Sequence, residues 1–131
     1  MNENNVKEIL AKHQLTFSNK STIWAKIIPT IAAYQNGLGK MMYVNKEHVI
    51  HIHSKGIAII AVEDTRGKLE ADSYVFIPNG KILSVRITMK RLKFYLVIST
   101  NEGNIEYKIR RNVIGSPWHK ENLANLLLRL E

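Results

Sequence analysis

Between residues 83 and 110 the chain alternates with a period of two. Leu83, Val85, Ile87 and Met89 are interleaved with Ser84, Arg86, Thr88 and Lys90. Leu92, Phe94, Leu96 and Ile98 are interleaved with Lys93, Tyr95, Val97 and Ser99, and Ile105, Tyr107 and Ile109 with Glu106, Lys108 and Arg110. That period puts successive side chains on opposite faces of a strand, so each segment offers an apolar row to a core and a polar or basic row to the other face. Asn101-Glu102-Gly103-Asn104 carries the turn chemistry of a hairpin, so these strands run antiparallel.

Upstream, the same reading predicts a short strand over Lys40 to Val44, turned back by Asn45-Lys46-Glu47 into Val49 to His53. A Lys55-Gly56 turn leads to Ile57 to Val62, apolar on both faces as a central strand is. Thr65 to Asp72 reads as a polar loop, and Ser73 to Ile77 as a strand ended by Pro78-Asn79-Gly80. Residues 22–34 fit a helix stripe through Trp24, Ile27, Ile28 and Ile31, yet their β-branched content favours a strand bent at Pro29. The period changes at the two ends of the chain. Val6, Ile9 and Leu10 recur at helical spacing behind Asn4 or Asn5 as cap. Leu123, Leu126, Leu127 and Leu130 form a helical stripe after Gly115-Ser116-Pro117, with Ser116 as expected N-cap and Pro117 at the first helical position.

About seven short strands cannot bury their apolar rows as one flat sheet. They must curl, and a terminal leucine-striped helix is a natural plug for the open end. The expected fold is mainly β, a partly open antiparallel barrel capped by a C-terminal α-helix. Residues 1–20 supply a short N-terminal helix and connector, and residues 21–131 the domain. At 131 residues the chain makes one domain, large enough to fold without disulfides or metal. It has no cysteine, which removes thiolate chemistry and Cys-based zinc sites. Its longest apolar run, Ile57 to Val62, is far short of the ~20 residues a membrane helix needs. With no basic and apolar leader at the start, the expectation is a soluble, cytoplasmic protein.

The order of these elements resembles the pleckstrin-homology (PH)-like fold, and local segments are similar to bacterial PH-like domain families. Gly39 to Ile52 looks like their strand–turn–strand segment, with Val44 where Thr is usual and Glu47-His48 where a basic residue is usual. Ile77-Pro78-Asn79-Gly80-Lys81-Ile82-Leu83-Ser84-Val85 resembles their "Ile-Pro, then Ile-x-Ser-Val" segment, and Leu96 to Gly103 with the final helix corresponds to their last hairpin and cap. The resemblance covers roughly residues 25–131 and implies a binding module for lipid, peptide or protein. The Lys/Arg-rich first turn of phosphoinositide-binding PH domains is not matched, since Tyr34 to Lys40 holds only Lys40.

The chain carries 19 Lys and Arg against 11 Asp and Glu, a formal net charge of +8. Residues 80–111 concentrate it, with eight cations against Glu102 and Glu106. Arg86, Lys93, Lys108 and Arg110 lie in outward rows of consecutive strands, with Tyr95 among them as a stacking or inserting group. Converged, they would attract phosphates with a steep salt dependence. The same row also suits a solvated face that blunts sheet edges. His51 and His53 share one strand face, but without a third ligand they read as part of a polar outer row and not as a metal site. Glu63-Asp64 follows a buried strand and reads as a strand terminus, and Gly37-Leu38-Gly39 as a hairpin turn with no helix after it. Trp24 and Trp118 read as packing residues, with Trp118 a partner anchor only if exposed.

These features rank a non-enzymatic module for a protein partner or self-association first. Docking to anionic membrane lipid or nucleic acid through the basic face comes second. No cofactor, metal or small-molecule substrate is expected.

Overall fold

Asn2 opens the first helix, α1 (Glu3–Lys12), by accepting the Asn4 N–H on its side-chain oxygen, so the expected caps Asn4 and Asn5 lie inside the helix. The computed structural model describes residues 1–63 and 67–130. Strand β1 (Thr22–Ile28) ends at Pro29, and Thr30 then accepts the Ala33 N–H at 3.1 Å to start α2 (Ile31–Ala33). The chain continues through a kinked π-turn (Tyr34–Leu38) into α3 (Gly39–Tyr43). Gly37 takes φ +88° at the kink, a conformation that favours glycine.

This helical passage corrects two expectations. Residues 22–34 are a strand followed by a helix, and Lys40 to Val44 is not a strand. Leu38, Met41 and Met42 recur at i, i+3 and i+4 and all three are buried, so a helical stripe overrode the strand reading. Gly37-Leu38-Gly39 therefore lies in a helical connection and not in a hairpin turn. At the chain's other end, α4 (Trp118–Arg129) starts one residue later than expected, with Pro117 in the cap position. Ser116 makes no side-chain capping bond; its hydroxyl oxygen instead accepts from the Met1 nitrogen at 2.9 Å while its hydrogen goes to the Met1 carbonyl. Trp118 is half-buried and its indole N–H donates to that carbonyl, so it is a packing residue and not an exposed anchor.

The remaining strands are β2 (Glu47–His53), β3 (Gly56–Ala61), β4 (Val75–Pro78), β5 (Ile82–Lys90), β6 (Lys93–Thr100) and β7 (Gly103–Ile109). They form one antiparallel seven-stranded sheet in the order β4-β3-β2-β1-β7-β6-β5, curled but not closed, with β4 and β5 at its two edges. This is the partly open PH-like architecture expected from the strand pattern and terminal helix.

The sheet has two apolar sides. On the concave side Ile23, Ile50, Ile59, Leu96, Ile98 and Tyr107 pack with Leu38, Met41 and Met42 and with Leu123 and Leu126 of α4. On the convex side Val6, Ile9 and Leu10 of α1 cover Trp24, Val49, Ala58, Ile60 and Val62. The helix covers only the β1–β4 half, and the convex face of β5–β7 stays open to solvent.

The covering segment overturns the outer-row reading of two histidines. His51 and His53 are buried, because Thr16, Phe17 and Ser18 of the connector fold over them. The Ser18 N–H donates to His51 Nε2 at 3.1 Å, and the Thr16 hydroxyl lies 3.0 Å from His53 Nε2.

Candidate functional site

Strand register sets one row across the open convex face. Thr88 stands opposite Tyr95, Tyr95 opposite Lys108, and Lys108 opposite Lys26. Residues directly opposite in a ladder share a face, so Tyr95 lies between Thr88 and two lysines. Lys93 is two residues from Tyr95 on the same face and stands opposite Lys90. The three ammonium groups of Lys26, Lys93 and Lys108 meet here. The Lys93 ammonium, in hydrogen-bonding reach of Lys108, pulls the Lys108 pKa below the ordinary lysine value, and the charge of Lys26 adds to this.

Lys90, Arg91, Lys93 and Tyr95 line a groove of about 420 Å³ with Ile28, Thr88, Val97 and Glu106. Glu106 is the only carboxylate among these lining residues, standing opposite Val97 and Ile28, one row from the lysines. A second hollow of about 400 Å³ lies against the hairpin tip, where Arg91, Leu92, Lys93, Lys108, Arg110 and Arg111 come together.

The tip itself is a two-residue turn in which Arg91 has φ +53° and Leu92 φ +64°. Positive φ at both central positions is the geometry that matches hairpin twist, and it normally selects Asn-Gly. Here it holds a cation and an aliphatic side chain outward, with Leu92 73% exposed and neighbouring Met89 63% exposed. Arg111 donates to the Leu92 carbonyl and sits 5.8 Å from the Phe94 ring centre, which ties the tip to the end of β7.

The residues expected from sequence divide. Lys93 and Tyr95 line the groove, and Lys108 stands opposite Tyr95 beside it and lines the second hollow with Lys93. Arg110 lies beside them but is paired with Glu47 at 2.6 Å. Arg86 is exposed one row away on the edge strand, with the Ser99 hydroxyl 3.4 Å from its guanidinium. Sequence reasoning missed Lys26, Lys90 and Arg91. Lys26 joins through the β1–β7 pairing between chain segments about eighty residues apart, and no local pattern signals that. Lys90 and Arg91 were legible as the basic end of an alternating run.

Of the paired carboxylates Glu63-Asp64, Asp64 lies outside the described residues. Among the described residues no three His, Asp or Glu side chains gather as a metal-binding set, and no helix is long and apolar enough to cross a membrane. No protein-family model matches the chain, and no curated protein matches it at a significant level.

Proposed function

We propose that the chain is a non-enzymatic, cytoplasmic binding module related to bacterial PH-like domains, and that it docks on anionic lipid surfaces through the tip of the β5–β6 hairpin. The observation that carries this reading is the pairing of exposed Leu92 and Met89 with a collar of Lys90, Arg91, Lys93 and Lys108. Each lysine or arginine near an anionic leaflet contributes about 1 kcal/mol, an attraction that decays over roughly 8 Å at physiological salt. Burying an aliphatic side chain such as leucine in the acyl boundary adds roughly 1.5–3 kcal/mol. Nucleic acid would use the same cations but rewards an exposed leucine only where it wedges between unstacked bases, whereas an acyl boundary accepts it without that cost. The apolar tip therefore favours lipid over nucleic acid.

The test is co-sedimentation with phosphatidylcholine vesicles and with vesicles containing phosphatidylglycerol, at low and physiological salt. The wild-type chain is expected to bind only the anionic vesicles, less at high salt. Lys26→Glu/Lys93→Glu/Lys108→Glu is expected to abolish that binding and Leu92→Ser to weaken it several-fold. Failure to bind anionic vesicles at low salt overturns the reading. Binding that ignores Leu92→Ser, with equal binding to a single-stranded oligonucleotide, moves the assignment to nucleic acid.

A further inference from the structure

Strand β5 ends the sheet, and among the described residues it pairs with β6 alone along Ile82–Lys90. A register shift between Ile82 and Ser84 interrupts its start, and from Ser84 to Lys90 its second edge presents a regular backbone ladder with no partner strand among the described residues, a template for another extended segment. The concave side of this edge is unfinished. Val85 and Ile87 reach the core but stay half-exposed, and Met89 beside them is 63% exposed. Met89 stands opposite Phe94, which with Leu123 and Leu127 lines an apolar hollow of about 430 Å³.

The convex side of the same edge carries one sign of charge. Arg86 and Lys90 point outward from β5, and the chain has no aspartate or glutamate anywhere from residue 73 to residue 101. Opposite charges across a strand pair are favourable and like charges are not, so a strand that fits this edge carries carboxylates on its outward side. A second copy fails that requirement, because antiparallel pairing of two β5 strands about their midpoint sets Arg86 against Arg86.

We propose that the β5 edge accepts an extended acidic segment of a partner protein as an eighth strand. Its acidic side chains face Arg86 and Lys90, and its alternate apolar side chains cover Val85, Ile87 and Met89. Main-chain hydrogen bonds supply affinity, and the alternation supplies register. The site shares Met89 and Lys90 with the lipid-docking tip but extends past it to Arg86, which does not line the groove, whereas Lys26 and Lys108 lie two or more strands from the edge.

The probe is a nine-residue peptide alternating glutamate and valine, with a lysine–valine peptide as its control, added to the full chain and followed by amide hydrogen exchange. The glutamate–valine peptide is expected to slow exchange within Ile82–Lys90, and the lysine–valine peptide to leave it unchanged. Arg86→Glu is expected to weaken peptide binding at least tenfold while vesicle binding stays the same. Should that variant fold poorly, Arg86→Gln serves, with a smaller loss expected. Lys26→Glu/Lys108→Glu is expected to spare the peptide. The proposal is overturned if β5 amides show no added protection, if the two peptides bind equally, or if the acidic peptide protects only the amides around Lys26 and Lys108. Where β5 gains no protection, the edge charges serve to block strand addition, and equal binding of the two peptides would show that they do not select the partner.

Discussion

The backbone N–H of Trp24 donates to Nδ1 of His119 at 3.0 Å, so the imidazole carries its own hydrogen on Nε2 and gives it to the Arg110 carbonyl. One neutral ring thus joins α4 to β1 and to the end of β7. The same arrangement recurs. His51 accepts the Ser18 N–H on Nε2, which leaves Nδ1–H for the Thr22 hydroxyl at 2.7 Å. His53 accepts the Lys55 N–H on Nδ1 and faces Thr16 with Nε2. In His48 two carbonyls, of Asn45 and Met41, surround Nε2, so Nδ1 is the acceptor for the Tyr107 hydroxyl. Each ring uses one nitrogen as an acceptor, and only the neutral imidazole has one to offer.

Stability should therefore fall with acid well before the carboxylates titrate. Burial holds the pKa values of His48, His51 and His119 below that of free histidine, and His51 lies at about 4, with the neighbouring His53 ring and the Arg129 charge adding to its desolvation. The unfolded chain then takes up protons first as pH drops through about 6.5, so stability is full above that pH and declines toward the folded values. For His51 alone the loss by pH 4 is roughly 3 kcal/mol. Urea midpoints measured from pH 7.5 to 4.5 should decrease steadily below 6.5, with a shallower slope in His51→Gln. A midpoint constant across that range would mean that the rings are solvated and free to protonate.

Tyr107→Phe isolates one of these bonds. Tyr107 is fully buried in the concave core, and burial raises its pKa well above the ordinary tyrosine value, so it donates to His48 as a neutral phenol. Removing the hydroxyl leaves His48 Nδ1 buried without a donor, at a cost of about 1–3 kcal/mol. Equilibrium denaturation should detect that loss with no change in the denaturant m-value. Stability within 0.5 kcal/mol of wild type, well under that ~1–3 kcal/mol, would show that the pair contributes little.

The parts of the fold that sequence made legible are those set by local period. The β5–β7 meander and the leucine stripe of α4 repeat every two or every three to four residues, and tertiary packing agrees with them. The parts that were not legible depend on what lies across the core. Lys40 to Val44 has the composition of a strand, but Leu38, Met41 and Met42 find the concave core only when the segment is helical. His51 and His53 alternate like surface residues and are buried because a connector more than thirty residues upstream closes over them. The basic site divides the same way. Lys93, Tyr95 and Lys108 follow from alternation on neighbouring strands, whereas Lys26 joins through the β1–β7 pairing and Arg110 leaves the open set through Glu47.

Leu10→Ala should test how closely α1 is integrated with the sheet. Leu10 is fully buried in the convex cluster with Val6, Trp24, Val49 and Ile60. Truncating it should cost about 2–5 kcal/mol through lost transfer energy and the cavity left behind. A single cooperative transition with a lowered midpoint is expected by both tryptophan fluorescence and circular dichroism. An unchanged midpoint, or α1 melting separately from the sheet, would show that the helix only rests on the domain.

Leu92→Gly separates stability from binding at the hairpin tip. A leucine at φ +64° bears a left-handed penalty of roughly 1–2 kcal/mol that glycine does not, although glycine returns part of it through unfolded-state entropy. The net expectation is a gain of about 0.5–1 kcal/mol, because Leu92 is 73% exposed and has little packing to lose. Binding to anionic vesicles should fall several-fold in the same variant, since the cations remain but the aliphatic group that enters the acyl boundary is gone. Loss of stability would show that the Leu92 side chain supports the turn. Gain of stability with undiminished vesicle binding would show that docking is electrostatic alone, carried by Lys26, Lys93 and Lys108.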